Sequence, residues 1–379
     1  METNETKKRE DHNHHHVLDC RVNSVAALLR HHGVEIDPLK LLFIGDGYGI
    51  AYDEISMTVD DEYIENLPIV TIGGEGIEEK ILNALGVQYK VEHILPTEEG
   101  HQRILTLLKE GKQILARTDL RAGAENADPE ESFPIRPVGT CLITDYDAEK
   151  DEYVLFWSNT NIEGHSDYVR IKRPELEHYR GTACLPLSPD YFCLYIESAE
   201  DAKKLTEADI NALFKESLIR AARSSMNSDE FNPGLKKAYT VIKQTAGLQA
   251  IHDLRVRTKK ILKDCFLKGK KNEDFEIFAI FFFALLKNNL HNGSFSAYRM
   301  EFVEAVELCR LQGGQPDDGK TKQIGKFVRV WFQLIASCMK LQNGVLNNKK
   351  EALYVLKLLR EIERTEKQMY PLALRLLDF

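Results

Sequence analysis

The feature that most constrains this chain is a change of hydrophobic period near residue 199. Before it, short β-rich runs alternate with amphipathic helices; beyond it, helical spacing dominates and strand signals vanish. At 379 residues the chain also exceeds what one hydrophobic core usually organises. Together these predict an α+β domain over residues 17–198 and an all-α helical bundle over 199–379, meeting near Glu197–Asp201. Residues 1–16 read as an unstructured, His-containing segment.

Within the first half, Asp19 can cap a helix carrying Val22, Val25, Ala26 and Leu29, which Gly33 ends. Asp37-Pro38 starts a second, short helix with Leu39, Leu42 and Phe43. Further along, strands are expected at 69–72, 87–91, 113–118, 140–146, 153–158, 168–171 and 191–196. Helices are expected at 77–85, 101–110 and 174–179, and an exposed loop at 121–137. The order is helices first, antiparallel sheet second. In the second half, breaks near Asn232-Pro233, 268–272, 291–293, 313–319 and 343–348 divide the pattern into about six helices.

Composition removes several function classes. A formal net charge of −9 argues against nucleic-acid binding, and the basic runs at Lys259-Lys260 and Lys268–Lys271 read as solvated helix ends and loop. Seven scattered cysteines without a C-x-x-C pair give neither a zinc ribbon nor a disulfide framework. The start of the chain has no apolar signal-peptide core. The longest apolar run, 277–286, is too short for a bilayer. A reduced, cytoplasmic protein without membrane attachment is expected. The Phe-rich stretch Phe275–Phe283 reads as core rather than as a self-association surface, although a homo-oligomer stays open. His14–His16 reads as part of the unstructured segment rather than as a metal site. Gly45-Asp46-Gly47-Tyr48-Gly49 follows a helix and lacks a following Lys-Ser/Thr, so a tight loop beside a site fits better than phosphate binding. No cofactor or metal is expected.

Cys20, one residue after a capping Asp, stands in the first turn of a helix. There the unpaired N–H groups and the positive end of the dipole favour a thiolate and could steady an oxyanion. The plain alternative is a small buried hydrophobe.

The stretch Leu18-Asp19-Cys20, Ser24–Leu29, Gly33, Leu41-Leu42-Phe43 and Gly45 to Tyr52 resembles the start of the butirosin-biosynthesis (BtrH-like) acyltransferase family. Gly293-Ser294-Phe295, Tyr298-Arg299, Phe302-Val303-Glu304-Ala305, Phe327 through Trp331 to Ala336, and Ile362-Glu363-Arg364-Thr365-Glu366 continue the resemblance to about residue 375. It implies a papain-like cysteine-protease-type N-terminal domain, related to peptidase C39, followed by a helical domain. It further implies transfer of an acyl group from a carrier-protein thioester to a small amine, making an amide in specialised metabolism. The partners implied are thus an acyl carrier protein and an amine acceptor.

By that resemblance Cys20 is the nucleophile. Asn159 takes the position of the residue that orients an imidazole, and an acidic residue falls at Asp119. The base should be a His opening the strand that reads Gly139-Thr140-Cys141-Leu142-Ile143-Thr144-Asp145-Tyr146-Asp147. The Asp-Tyr-Asp ending is present, but Gly139-Thr140 stands where the His belongs. His165 is the nearest replacement along the chain, with His16 and His178 as others. General-base help is worth roughly 10²–10⁴-fold, so its loss slows an acyl transfer without abolishing it. Three readings follow: an amide-forming acyltransferase through Cys20, a degenerate accessory protein that keeps the pocket, and a hydrolase.

Overall fold

The computed structural model describes residues 17, 19–59, 62–72, 76–119, 138–158, 168–182, 189–227, 240–291, 295–315, 319 and 321–378. The His-containing segment, the 121–137 loop, the turn at Gly73-Gly74, the break at Asn232-Pro233, His16, Asn159 and His165 lie outside them.

The first half opens with α1 (Cys20–His31) and α2 (Pro38–Ile44). Asp19 caps α1 by accepting from the Arg21 N–H, and Gly33 leaves it at φ +80°, a conformation that only glycine takes without strain. Asp37 caps α2, with Pro38 in its first turn. The turn that follows is glycine-built for packing. A Cβ on Gly47 would stand 2.2 Å from the Ile77 Cδ1 and 2.8 Å from the Leu42 carbonyl.

Next come β1 (Ile50–Val59), β2 (Glu62–Ile72), α3 (Ile77–Ala84), β3 (Gln88–His93), α4 (Glu98–Lys109) and β4 (Ile114–Asp119). Strands β5 (Val138–Asp147), β6 (Glu152–Phe156) and β7 (Tyr168–Lys172) then lead through α5 (Arg173–Gly181) to β8 (Phe192–Ser198). Six of these strands form one antiparallel sheet in the order β3-β8-β4-β5-β6-β7. Alternation along its strands sorts the side chains into two cores. Leu115, Leu142 and Leu194 face α1, α2 and α3, whereas Ile114, Cys141, Ile143 and Leu155 face Leu107 of α4 and Leu176 and Tyr179 of α5.

Among the described residues the second half contains six helices, α6 (Glu207–Met226), α7 (Gly247–Lys268), α8 (Asp274–His291), α9 (Phe295–Gln312), α10 (Thr321–Leu341) and α11 (Lys349–Leu377). In the Phe-rich helix α8, Phe282 and Phe283 lie in the apolar core with Trp331 and Leu359. Two strands escaped the reading by period, β1 and one in the second half. Strand β9 (Thr240–Ala246) precedes α7 and pairs antiparallel with β1, completing a separate sheet in the order β2-β1-β9. Its seven residues are too few to establish a period, and its partner lies some 190 residues away in sequence. Packing ignores the boundary near residue 198. One apolar core joins Val22, Leu28 and Phe43 to Phe214, Phe302, Val328 and Tyr370.

Candidate active site

Cys20 is half-buried as the first residue of α1, and α1 lies against β5. The residues one turn along share its face, as i+3 and i+4 neighbours must. Ser24 donates to the Thr140 carbonyl at 3.2 Å. Asn23 donates from Nδ2 to the Val17 carbonyl (2.6 Å) and to the Ser158 hydroxyl (3.1 Å). Those two acceptors fix the amide so that Oδ1 points away from them. Asn23 Oδ1 and Thr140 Oγ1 are both buried and have no hydrogen-bond partner among the described residues.

Two ionic groups flank the thiol. On α1, the Asp19 carboxylate accepts from the Arg21 backbone (2.9 Å) and from the Arg21 guanidinium (2.6 Å at Oδ2), and it also accepts from the Tyr298 hydroxyl of α9. Burial alone would raise the Asp19 carboxyl; the Arg21 charge and the hydrogen bonds from Arg21 and Tyr298 outweigh it and hold the group below the usual range. From α3, the buried Glu78 meets Arg117 of β4 at 3.3 Å, and the guanidinium lies 4.0 Å from the centre of the Phe192 ring.

The thiol itself departs from expectation. Burial, and then the Asp19 charge, push Cys20 up to about 11, with Glu78 adding to the rise. A backbone hydrogen bond with Thr140 and the Arg21 charge pull the other way without prevailing. The expectation that a helix start favours a thiolate is therefore reversed here: desolvation and a neighbouring carboxylate outweigh it. Cys20 rests as a thiol at neutral pH.

Of the residues singled out from sequence, the structure brings Cys20 and Thr140 together. Asp119 ends β4, buried, on the sheet face that also carries Arg117 and Thr140. His178 is exposed on α5, whose buried residues cover the opposite face of the sheet, so it is not the base for Cys20. The other placed imidazoles are elsewhere too. His101 bonds the Tyr153 hydroxyl beneath that opposite face, His93 bonds the Asp190 carbonyl, and His252 meets Glu363 between α7 and α11. His31 and His32 end α1, about 16 Å of helix from Cys20.

Asn23 and Ser24 were missed, although their spacing from Cys20 was legible. Glu78, Arg117 and Tyr298 carried no local signal. Among the described residues no three His, Cys, Asp or Glu side chains are grouped to hold a metal ion. None of the described helices is long and apolar enough to cross a membrane.

A cysteine-bearing helix laid across an antiparallel sheet, followed by a helical bundle, makes this an α+β protein. Its N-terminal half resembles the butirosin biosynthesis protein H family: residues 19–122 match the family described as "Butirosin biosynthesis protein H, N-terminal". Among solved structures, a C39-like peptidase from Bacillus anthracis matches at 12% identity, covering 47% of this chain and 88% of that one, with a TM-score of 0.30. The fold assignment rests on the topology above rather than on that loose superposition. No curated protein matches the sequence.

Proposed function

We propose that the chain is a cysteine-dependent acyltransferase of specialised-metabolite biosynthesis, moving an acyl group from a carrier-bound thioester to an amine. The observation that carries this reading is Cys20 itself, the first residue of α1, held against the β5 backbone at Thr140. Asn23 reaches from the same helix face to Ser158, the residue before Asn159. These contacts of α1 with Thr140 and Ser158 support the reading, with a threonine where the resemblance expects the histidine. The match of residues 19–122 to a biosynthesis family favours this reading over a peptidase.

The chemistry suits a donor that is already activated. Cys20 Sγ attacks the thioester carbonyl, the donor's C–S bond breaks, and the departing thiolate takes the Cys20 proton. The amine then attacks the acyl-Cys20 carbonyl, the second C–S bond breaks, and Sγ recovers a proton from the amine nitrogen. Thiol exchanges for thioester in the first half, so little driving force is needed, and a base is less necessary than in hydrolysis of a peptide bond. A high thiol pKa, and no imidazole beside Cys20 among the described residues, favour a second reading, an accessory protein that binds an acyl carrier without turnover.

Incubation with an acyl N-acetylcysteamine thioester separates the two. The acyltransferase gains one acyl mass on the Cys20 peptide, loses it when a primary amine is added, and shows neither effect as Cys20→Ala. An unmodified Cys20 after prolonged incubation at pH 9 would sink the covalent mechanism.

A further inference from the structure

The helical half touches the cap of the nucleophile helix through a residue that the resemblance covers but that nothing above gives a function. Tyr298 is 3% exposed on α9, and its hydroxyl donates to Asp19 Oδ2, the oxygen that also receives the Arg21 guanidinium. Asp19 is the residue immediately before Cys20 and the cap of its helix. Arg299, next along α9, is fixed by its own buried ion pair with Glu366, so the tyrosine is delivered from a rigid support.

We propose that Tyr298 and Asp19 are positioning residues for Cys20, through which the helical half controls the reactivity of the thiol. The inference rests on Cys20 being the nucleophile of the proposed reaction. The charged groups that act most on Cys20 are Asp19 and Arg21, at the start of α1, and Glu78 from α3. Arg117 of β4 is already paired with Glu78. Cys141 of β5 is a buried thiol, raised so far that it stays neutral. Tyr298 is itself raised well above its ordinary value by burial and by the Asp19 charge, so it acts only as a neutral donor. Asp19 is thus the adjustable negative charge at the sulfur. The tyrosine O–H dipole, pointed at it, offsets part of its field. The arrangement makes the bundle a part of the catalytic unit rather than an appendage.

The test is the pH dependence of Cys20 alkylation by iodoacetamide, read as mass on the Cys20 peptide of the full-length chain. This measures the thiol directly and needs no acyl donor, so it fails or succeeds independently of the acyltransferase reading. Tyr298→Phe keeps the buried ring and removes the hydroxyl; the alkylation midpoint is expected to rise, with a rate at pH 8 lowered about threefold or more. Asp19→Asn keeps a capping side chain, since Asn caps as well as Asp, and removes the charge. Its midpoint is expected to fall, with a rate at pH 8 raised about tenfold for each unit of the fall. In the Asp19→Asn background, Tyr298→Phe should change the midpoint little. A Tyr298→Phe variant that melts like the wild type and keeps the wild-type midpoint overturns the proposal. Should that variant not fold, Asp19→Asn decides alone, and an unmoved or raised midpoint overturns it.

Discussion

Two buried polar clusters in this molecule follow opposite rules. Around Glu366 of α11, every bond points inward to one carboxylate: Arg299 donates at 2.8 and 3.2 Å, Trp331 Nε1 at 2.7 Å and the Tyr370 hydroxyl at 2.7 Å. Tyr48 from the glycine loop closes the group at 3.1 Å from Tyr370, and the Arg299 guanidinium lies between the Tyr48 and Trp331 rings. Around Cys20, by contrast, Asn23 Oδ1 and Thr140 Oγ1 are buried, with no partner among the described residues, beside a thiol held neutral. In the first cluster both oxygens of the Glu366 carboxylate are satisfied by donors, as a buried charge must be when desolvation is this costly. The second leaves hydrogen-bonding capacity unused next to Cys20, the one half-exposed cysteine among the described residues. On the proposed function, the contrast separates a group kept for assembly from one kept for chemistry.

Breaking the charge-paired Glu366 cluster should give the largest effect. Glu366→Ala leaves the Arg299 charge buried and uncompensated, and a loss of about 3–5 kcal/mol is expected in urea unfolding. A variant within about 1 kcal/mol of wild type would show that the ion pair is replaceable. Trp331→Phe removes one donor to the same carboxylate while keeping an aromatic ring, and about 1.5–3 kcal/mol should be lost, measured the same way. The smallest effect belongs to the unsaturated site and has the opposite sign. Thr140→Val deletes a buried hydroxyl with no partner at nearly constant shape, and should raise stability by about 1 kcal/mol. Destabilisation instead would mean that the hydroxyl is satisfied, and would erase the distinction between the clusters.

Much of the scaffold was legible because its signals are local. The Asp19 and Asp37 caps, Gly33, and the alternating strands of the six-stranded sheet are written within a few residues of where they act. Strand β9 was not, because a seven-residue element defined by pairing with β1 has no periodicity of its own. The site was legible to the same extent. Cys20 announced itself by following a capping Asp, and the absence of a histidine at Gly139-Thr140 could be read directly. Residues 293–305, 327–336 and 362–366 stood out only by resemblance, and the structure gives three of them a shared purpose in Arg299, Trp331 and Glu366.

What the sequence determined by itself is the order of elements and the placement of a cysteine at a helix start, since both depend on short-range backbone preferences. What only the tertiary structure decided is the state of that cysteine. Its ionisation depends on a carboxylate and a helix face in α1, on Glu78 of α3 and on the Thr140 backbone of β5, with the carboxylate held in turn by Tyr298 from 279 residues away. Electrostatic fields and desolvation act through space, so no window of neighbouring residues could contain them.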